Sequence, residues 1–509
     1  MARSTTPSFI TELPLKVDSK INKQLSARFQ AGRQLYNACL KEALIRMELV
    51  RNSEPYKQAK KLNREKDKKQ RKELFKTARE QARFSEYELQ SFATLTAKSS
   101  KWIANKVDSN SQQKLATRAF KATERILLGM AKQVRFKVPT RFKSIEGKSN
   151  KQGLRWLKNQ VVWCGLRIEP IIDWDNPVLT HGLNSPVKYC RILWRILNGK
   201  RRWFVQLINE GLPYQKPQNY VTDGTVGLDL NVSNIAFVAD YHAGLLPFAQ
   251  NVPTFDREIK ALQRKMQRSQ RMHNPDNFHP DFDQKVGNKI VRKKGKVKQG
   301  LEFRREKMRQ ASNKTSSFEH PTNQLTKPAP FFKEYVRKKQ WIKTRNYRRT
   351  QAKKAELERR KSAYTKSQNR KLVNEILRHG NRIKTENVSV KAWQKRYGKA
   401  ISAKSPGFFQ SELARKAESA GGQFIKFPTK TTALSQTHLD GTRIKKKLSE
   451  RVHYDVTGVA PMHRDLFSAY LARCVYGDVL SLRDAQSEYP DTEPYLLGAW
   501  QRYKQAARK

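Results

Sequence analysis

A chain of 509 residues carrying 104 Lys and Arg against 45 Asp and Glu has a formal net charge of +59, and a compact fold with that self-repulsion needs a polyanionic partner. The length suits about three or four domains, and 37% hydrophobic residues suffice for a sizeable core, which excludes a single small module. No apolar stretch approaches the roughly 18 residues of a spanning helix and no signal-peptide pattern opens the chain, so a membrane protein is excluded and nucleic acid in the cytoplasm is the expected setting.

Residues 9–17 alternate apolar and polar side chains and predict a strand. The period then becomes helical. Leu25, Phe29, Gly32, Tyr36, Leu40, Ala43 and Met47 recur at threes and fours, with Cys39 beside them, and a second stripe of Leu115, Ala119, Ala122, Ile126 and Met130 follows Asp108. Between the two lies a dense Lys/Arg run at 57–76, and residues 18–130 read as a helical domain. Short β-branched and aromatic runs follow, QVVWCGLRIE (160–169), VKYCRILWRIL (187–197) and WFVQLINE (203–210), the last two joined by Asn198-Gly199, a preferred two-residue hairpin turn. These make a β domain over 131–220. The strand at 9–17 lacks a partner unless it joins this later sheet, which makes the helical domain an insertion. Trp156, Trp163, Trp194 and Trp203 suit either the core of that domain or base stacking.

From Thr225, TVGLDL and IAFVAD flank a turn-like NVSN and start a hairpin. Residues 256–380 are charged and predict mainly helix; between Arg345 and Lys371, eleven Lys/Arg face two acids, which suits either a phosphate-binding face or a solvated coil. Gly380 stops this helix, and a strand at 381–390, a helix at 408–422 and a strand at 423–427 imply an α/β sheet domain. The four cysteines, Cys39, Cys164, Cys190 and Cys474, form no C-x-x-C pair, which argues against disulfides or thiolate zinc and leaves buried reduced thiols.

Three acids stand where elements begin or end: Asp229 between Leu228 and Leu230, Glu386 in a short strand after the helix stop, and Asp465 where LFSAYLAR begins a helix. A lone carboxylate in a buried strand is costly, so compensation is expected. Converging, the three can hold two divalent cations for phosphodiester hydrolysis, and hard oxygen ligands favour Mg²⁺ or Mn²⁺. Taken singly, each has a plainer role: a strand end, an ion pair with surplus Lys/Arg, a helix cap.

The segments TVGLDLNVSNIAFV, RIKTENVSV and HRDLFSAYLAR resemble, in order, the three RuvC segments of TnpB-family nucleases, insertion-sequence proteins related to type V CRISPR effectors. EGKSNKQGLRW (146–156), LVNEILRHGNRIKTENVSVKAWQKRYGK (372–399) and LARKAESAGGQFIKFPTKTTALSQT (413–437) extend the resemblance, chiefly over 131–485. It implies a multidomain α+β protein: an RNase H-like RuvC nuclease domain (α/β) at 221–434 and 459–485 with a basic helical insertion at 256–380, a β-barrel-like wedge domain at 1–17 and 131–220, an inserted helical recognition domain at 18–130, and a C-terminal tail at 486–509. It also implies an RNA-guided DNA endonuclease with guide RNA and target DNA as partners and Asp229, Glu386 and Asp465 as catalytic, metal-binding acids. Phosphate contacts are expected from Lys68, Lys69, Arg71, Lys72, Arg348, Arg349, Arg359, Arg360, Lys445, Lys446 and Lys447. A guided DNA binder that does not cut, or a transposition-associated nucleic-acid-binding protein, is the alternative.

Similar proteins carry a four-cysteine zinc ribbon before the last catalytic acid. Here residues 435–458 offer His438, Asp440, Asp455 and Thr457 near the expected cysteines, with His453 close by. Without thiolates no stoichiometric zinc is expected, and GTRIKKKLSER (441–451) is expected to order against nucleic acid instead.

Overall fold

The computed structural model describes residues 6–287, 289–298, 341–447 and 449–508. It is a multidomain protein of mixed helices and sheets that divides into two compact units, Met1–Leu246 with Leu372–Ser389 and Gln410–Lys509, and Pro247–Lys371 with Val390–Phe409.

In the first unit, strand β1 (Ser8–Pro14) leads into helix α1 (Ser19–Asn52), started by Asp18, whose carboxylate accepts from Ile21 N–H at 2.7 Å. Helices α2 (Glu54–Lys61), α3 (Lys68–Gln81), α4 (Glu86–Ser99) and α5 (Ser109–Leu127) follow. The stripe of α1 is buried, and a Cβ on Gly32 would stand 2.8 Å from the Ile145 Cδ1, so the absence of a side chain there lets α1 and β2 (Ser144–Glu146) pack without moving that isoleucine. Three short strands, β3 (Arg155–Leu157), β4 (Gln160–Trp163) and β5 (Leu166–Ile168), form one antiparallel sheet. β6 (Val187–Leu197) and β7 (Lys200–Glu210) turn at Asn198 and Gly199, with φ of 50° and 75°, in the hairpin turn their dipeptide favours.

These strands make a four-stranded sheet in the order β1-β7-β6-β2, with β1 antiparallel to β7 from Ser8↔Glu210 to Pro14↔Phe204. The sheet is open. The barrel-like expectation is therefore corrected: β1 and β2 are edges, and strands of three residues, about 10 Å each, are too short to carry a closed ring. All four expected tryptophans are buried in one continuous core with Phe29, Leu35 and Phe142, which removes them from stacking on bases. Cys39, Cys190 and Cys474 are buried, but Cys164 is exposed, because it sits with positive φ in the tight turn between β4 and β5.

The same unit holds a mixed five-stranded sheet, order β10-β9-β8-β13-β14, from β8 (Thr225–Leu230), β9 (Asn234–Ala239), β10 (His242–Pro247), β13 (Arg382–Glu386) and β14 (Gln423–Phe427). β8, β13 and β14 are parallel, and β9 is antiparallel to β8. The second unit contains α6 (Asp256–His273), an exposed hairpin of β11 (Phe282–Val286) and β12 (Lys289–Lys293), much of α7 (Arg345–Leu377), α8 (Val390–Lys404) and the start of α9 (Pro406–Ser419). The hairpin is a non-helical part of an insertion expected to be mainly helical, and the part of that insertion at 299–340 lies outside the described residues. Among the described residues, no helix is long and apolar enough to cross a membrane.

Candidate active site

Three separate stretches of chain meet at the C-terminal ends of β8 and β13. Thr385 is in register with Leu228, so Glu386 and Asp229 stand side by side one residue further along two parallel strands. Side chains alternate faces along a strand, which puts Gly227 and Asp229, and Lys384 and Glu386, on one face. Helix α10 (Arg464–Arg473) packs there: a Cβ on Gly227 would be 2.1 Å from Ala469 O, and Lys384 Nζ donates to Arg473 O at 2.8 Å. From Ala469 back to Asp465 is one helical turn, about 6 Å. Two residues of strand, Gly227 to Asp229, span about 6.6 Å, so Asp465 comes level with Asp229.

Each acid is held differently. One oxygen of Glu386 accepts from Leu434 N–H and from the Thr432 hydroxyl, both at 3.2 Å, while burial pushes its carboxyl upward against those two bonds. Asp229 is half-buried by accessible area but densely surrounded by protein. Burial first, then the Asp465 and Glu386 carboxylates, push it well above the usual carboxylate range, against the pull of Arg464 and Arg451. Asp465 is 2% exposed and lies in the first turn of α10, where the helix dipole favours an anion. Its Oδ2 has no hydrogen-bond partner among the described residues; the nearest cation is Arg451 Nη1 at 3.7 Å. A buried carboxylate oxygen without a donor among the described residues, beside an Asp229 that the Asp465 and Glu386 carboxylates both push upward, fits a hard divalent cation and fits the bare protein poorly.

Folded Asp229 and Glu386 hold protons more tightly than they do unfolded. Their contribution to stability is complete below the ordinary carboxylate values near pH 4 and is lost as pH rises through the raised folded values. In chelator, the melting temperature of Asp229→Asn is expected to exceed that of wild type increasingly as pH rises, by on the order of 2–4 °C near neutrality, and millimolar Mg²⁺ should close the gap. Parallel pH profiles for the two proteins in chelator would show that Asp229 does not carry this charge burden.

Residues around Asp465 escaped sequence reasoning. His463 precedes α10, and its Nδ1 accepts the Asp465 N–H at 3.3 Å; burial holds this imidazole below its ordinary range although Asp465 works against it. Arg464 donates through Nη1 to Lys447 O, and its N–H donates to Arg451 O at 2.8 Å, which fixes the backbone of Arg451 beside the acids. The signal was faint: β15 (Val452–His453) and β16 (Met462–His463), which bring these residues in, are two residues each.

Of the expected phosphate contacts, Lys68, Lys69 and Lys72 are exposed on α3, where Lys60, Arg64, Lys68 and Lys72 line a groove of about 1340 Å³. Arg71 in the same groove donates to Ala59 O and Leu62 O and lies over Phe75. Arg348 and Arg349 are exposed; Arg359 and Arg360 are exposed but both pair with Glu356. Lys445 and Lys447 are exposed, whereas Lys446 is half-buried against His453.

No protein-family model matches this chain, and no curated protein matches it. Among solved structures, it is similar to one described as a cryo-EM structure of the Cas12f1-sgRNA-target DNA complex, over 92% of this chain and 98% of that chain, with 11% identity and a TM-score of 0.40. It is also similar to one described as a cryo-EM structure of a CRISPR-Cas12f ternary complex, over 89% and 85%, with 9% identity and a TM-score of 0.24. Likeness at this level leaves the site's own geometry to carry the functional reading.

Proposed function

We propose that the protein is an RNA-guided DNA endonuclease of the TnpB or type V effector kind, hydrolysing phosphodiester bonds at one site built on Asp229, Glu386 and Asp465. The observation that carries this reading is the convergence of three carboxylates from distant segments, one of them buried with an oxygen that no donor among the described residues satisfies. Mg²⁺ or Mn²⁺ held by these three acids would activate the attacking water and stabilise the leaving oxygen. The protein's own groups do the rest. Leu434 N–H and Thr432 hold Glu386 in place, the start of α10 steadies the charge of Asp465, and the exposed side of Arg451 faces an incoming phosphate. Guide RNA and target DNA supply the polyanion that +59 charges require, with base pairing choosing the sequence and the exposed cations of α3 and α7 holding backbone.

Sequencing the RNA that co-purifies with the protein, then challenging the complex with matched DNA in Mg²⁺ and in chelator, tests this. One defined RNA species and Mg²⁺-dependent cutting of matched DNA alone is the expected result. Random RNA fragments without guided binding would overturn the reading; a defined RNA with binding but no cutting would leave a guided DNA binder.

A further inference from the structure

The segment before Asp465 that resembles a zinc ribbon brings His438, His453 and Asp455 together, with the ligand atoms of all three within 4.8 Å of one another. Proximity alone suggests a metal. The hydrogen bonds argue otherwise, because almost every lone pair a metal would need is already taken. A carboxylate offers about four acceptor positions. Asp455 Oδ2 accepts from Leu439 N–H at 3.0 Å and His453 Nε2–H at 2.8 Å, and Oδ1 accepts from Thr457 N–H at 3.0 Å and the Thr457 hydroxyl at 2.8 Å. His438 Nδ1 accepts from Val456 N–H at 3.1 Å, so in the neutral ring the proton sits on Nε2, which is buried and has no partner among the described residues. Asp440 is turned away and bound to Thr442.

Lys446 decides the matter. Its ammonium has only protons to offer, and it donates to His453 Nδ1. That fixes the proton of His453 on Nε2, where it meets Asp455. A metal at Nε2 would drive the proton to Nδ1, against the ammonium, whereas metal-bound imidazoles ordinarily give that second N–H to an acceptor. Burial keeps both imidazoles below their ordinary range, His453 at about 4, and therefore neutral. Burial works to raise Asp455, but the bonds from His453 and Thr457 hold it below the usual carboxylate range.

We propose that residues 438–457 form a metal-free knuckle in which a Lys446–His453–Asp455 hydrogen-bonded relay, rather than zinc, closes the segment and ties it to α10. The tie is direct: the His453 ring stacks on Phe467 of α10 with centroids 3.9 Å apart, and β15 pairs with β16 immediately before Asp465. Lys446 thus takes the place of the metal's positive charge. Its inward role separates it from Lys445 and Lys447, which remain free to face phosphate.

The full-length protein with its bound nucleic acid, expressed with added zinc and purified without chelator, is to be assayed by elemental analysis and melted in Mg²⁺ with and without o-phenanthroline. Substoichiometric zinc and a melting temperature unmoved by o-phenanthroline are expected. Lys446→Met should lower the melting temperature by several degrees equally in both conditions, and Lys446→Arg should recover much of that loss. One tightly held zinc per chain, or a wild-type melting temperature that falls with o-phenanthroline and returns with zinc, would overturn the proposal. This readout does not depend on cleavage, so it stands or falls separately from the nuclease reading.

Discussion

Asp229→Ala, Glu386→Ala and Asp465→Ala are each expected to reduce Mg²⁺-dependent DNA cleavage on the order of 1,000-fold or more while guided DNA binding persists. The acids sit at the ends of β8 and β13 and at the start of α10, whereas binding is assigned to other residues, the exposed cations of α3 and α7. Removing one carboxylate therefore removes cation affinity and leaves the phosphate contacts in place. Asp465→Asn is the sharpest of these changes. It keeps the shape of the side chain, and the His463 cap uses the backbone N–H of residue 465, so the start of the helix is preserved. Cleavage and binding measured side by side decide the outcome: a variant that cuts near the wild-type rate removes that residue from the site, and loss of binding with loss of cutting would mean the fold itself has failed.

The second large effect is expected at a residue that carries no chemistry. A Cβ on Gly227 would lie 2.1 Å from Ala469 O and 2.6 Å from Arg473 N, both backbone atoms of α10, so Gly227→Ala must push the helix off the sheet. Overpacking of this kind costs about 1–3 kcal/mol, or roughly 2–4 °C of melting temperature per kcal/mol. Asp465 is one turn from the point of collision and moves with the helix. Misplacing a reacting group by about 1 Å can cost roughly 100-fold in rate, so cleavage should fall by about that factor with all three acids intact. Gly398→Ala, in α8 with open space around it, is the control and should leave both quantities nearly unchanged. Equal melting temperatures for wild type and Gly227→Ala would contradict the close approach of α10 to β8.

Much of this arrangement is legible in the sequence where a single element decides it. The α1 stripe needs only the 3.6-residue period, and the Asn198-Gly199 turn needs only two residues that accept positive φ. The strand carrying Asp229 is likewise visible as an apolar run broken by one acid, and the strand carrying Glu386 from its place directly after the helix stop at Gly380. Their adjacency, however, comes from the parallel register of β8 and β13, set by packing between segments more than 150 residues apart, which no local pattern encodes. Charge is the least legible feature. A Lys/Arg run does not say which members face solvent and which are used inside, and only the fold shows Arg71 holding the end of α2 or Lys446 turned onto an imidazole. The barrel-like expectation came from the family resemblance and not from the residues, which announce strands only; closure depends on how long each one runs.

The pairing of β1 with β7 has a consequence for how the chain is made. Phe9 lies opposite Asn209, a separation of 209 − 9 = 200 residues, so the first strand leaves the ribosome long before its partner exists. At roughly 5–20 residues per second the wait is about 10–40 s, during which the edge of β1 is open to pairing with other chains. The intervening helices pack on one another, α1 and α4 both against α5, and all of them precede β7, so they can form in that interval; α1 begins five residues after β1 ends. A nascent chain halted shortly before residue 200 would therefore carry folded helices and an unpaired β1, and the 11-residue hairpin strand β7 would complete the sheet by pairing with β1 when it emerged.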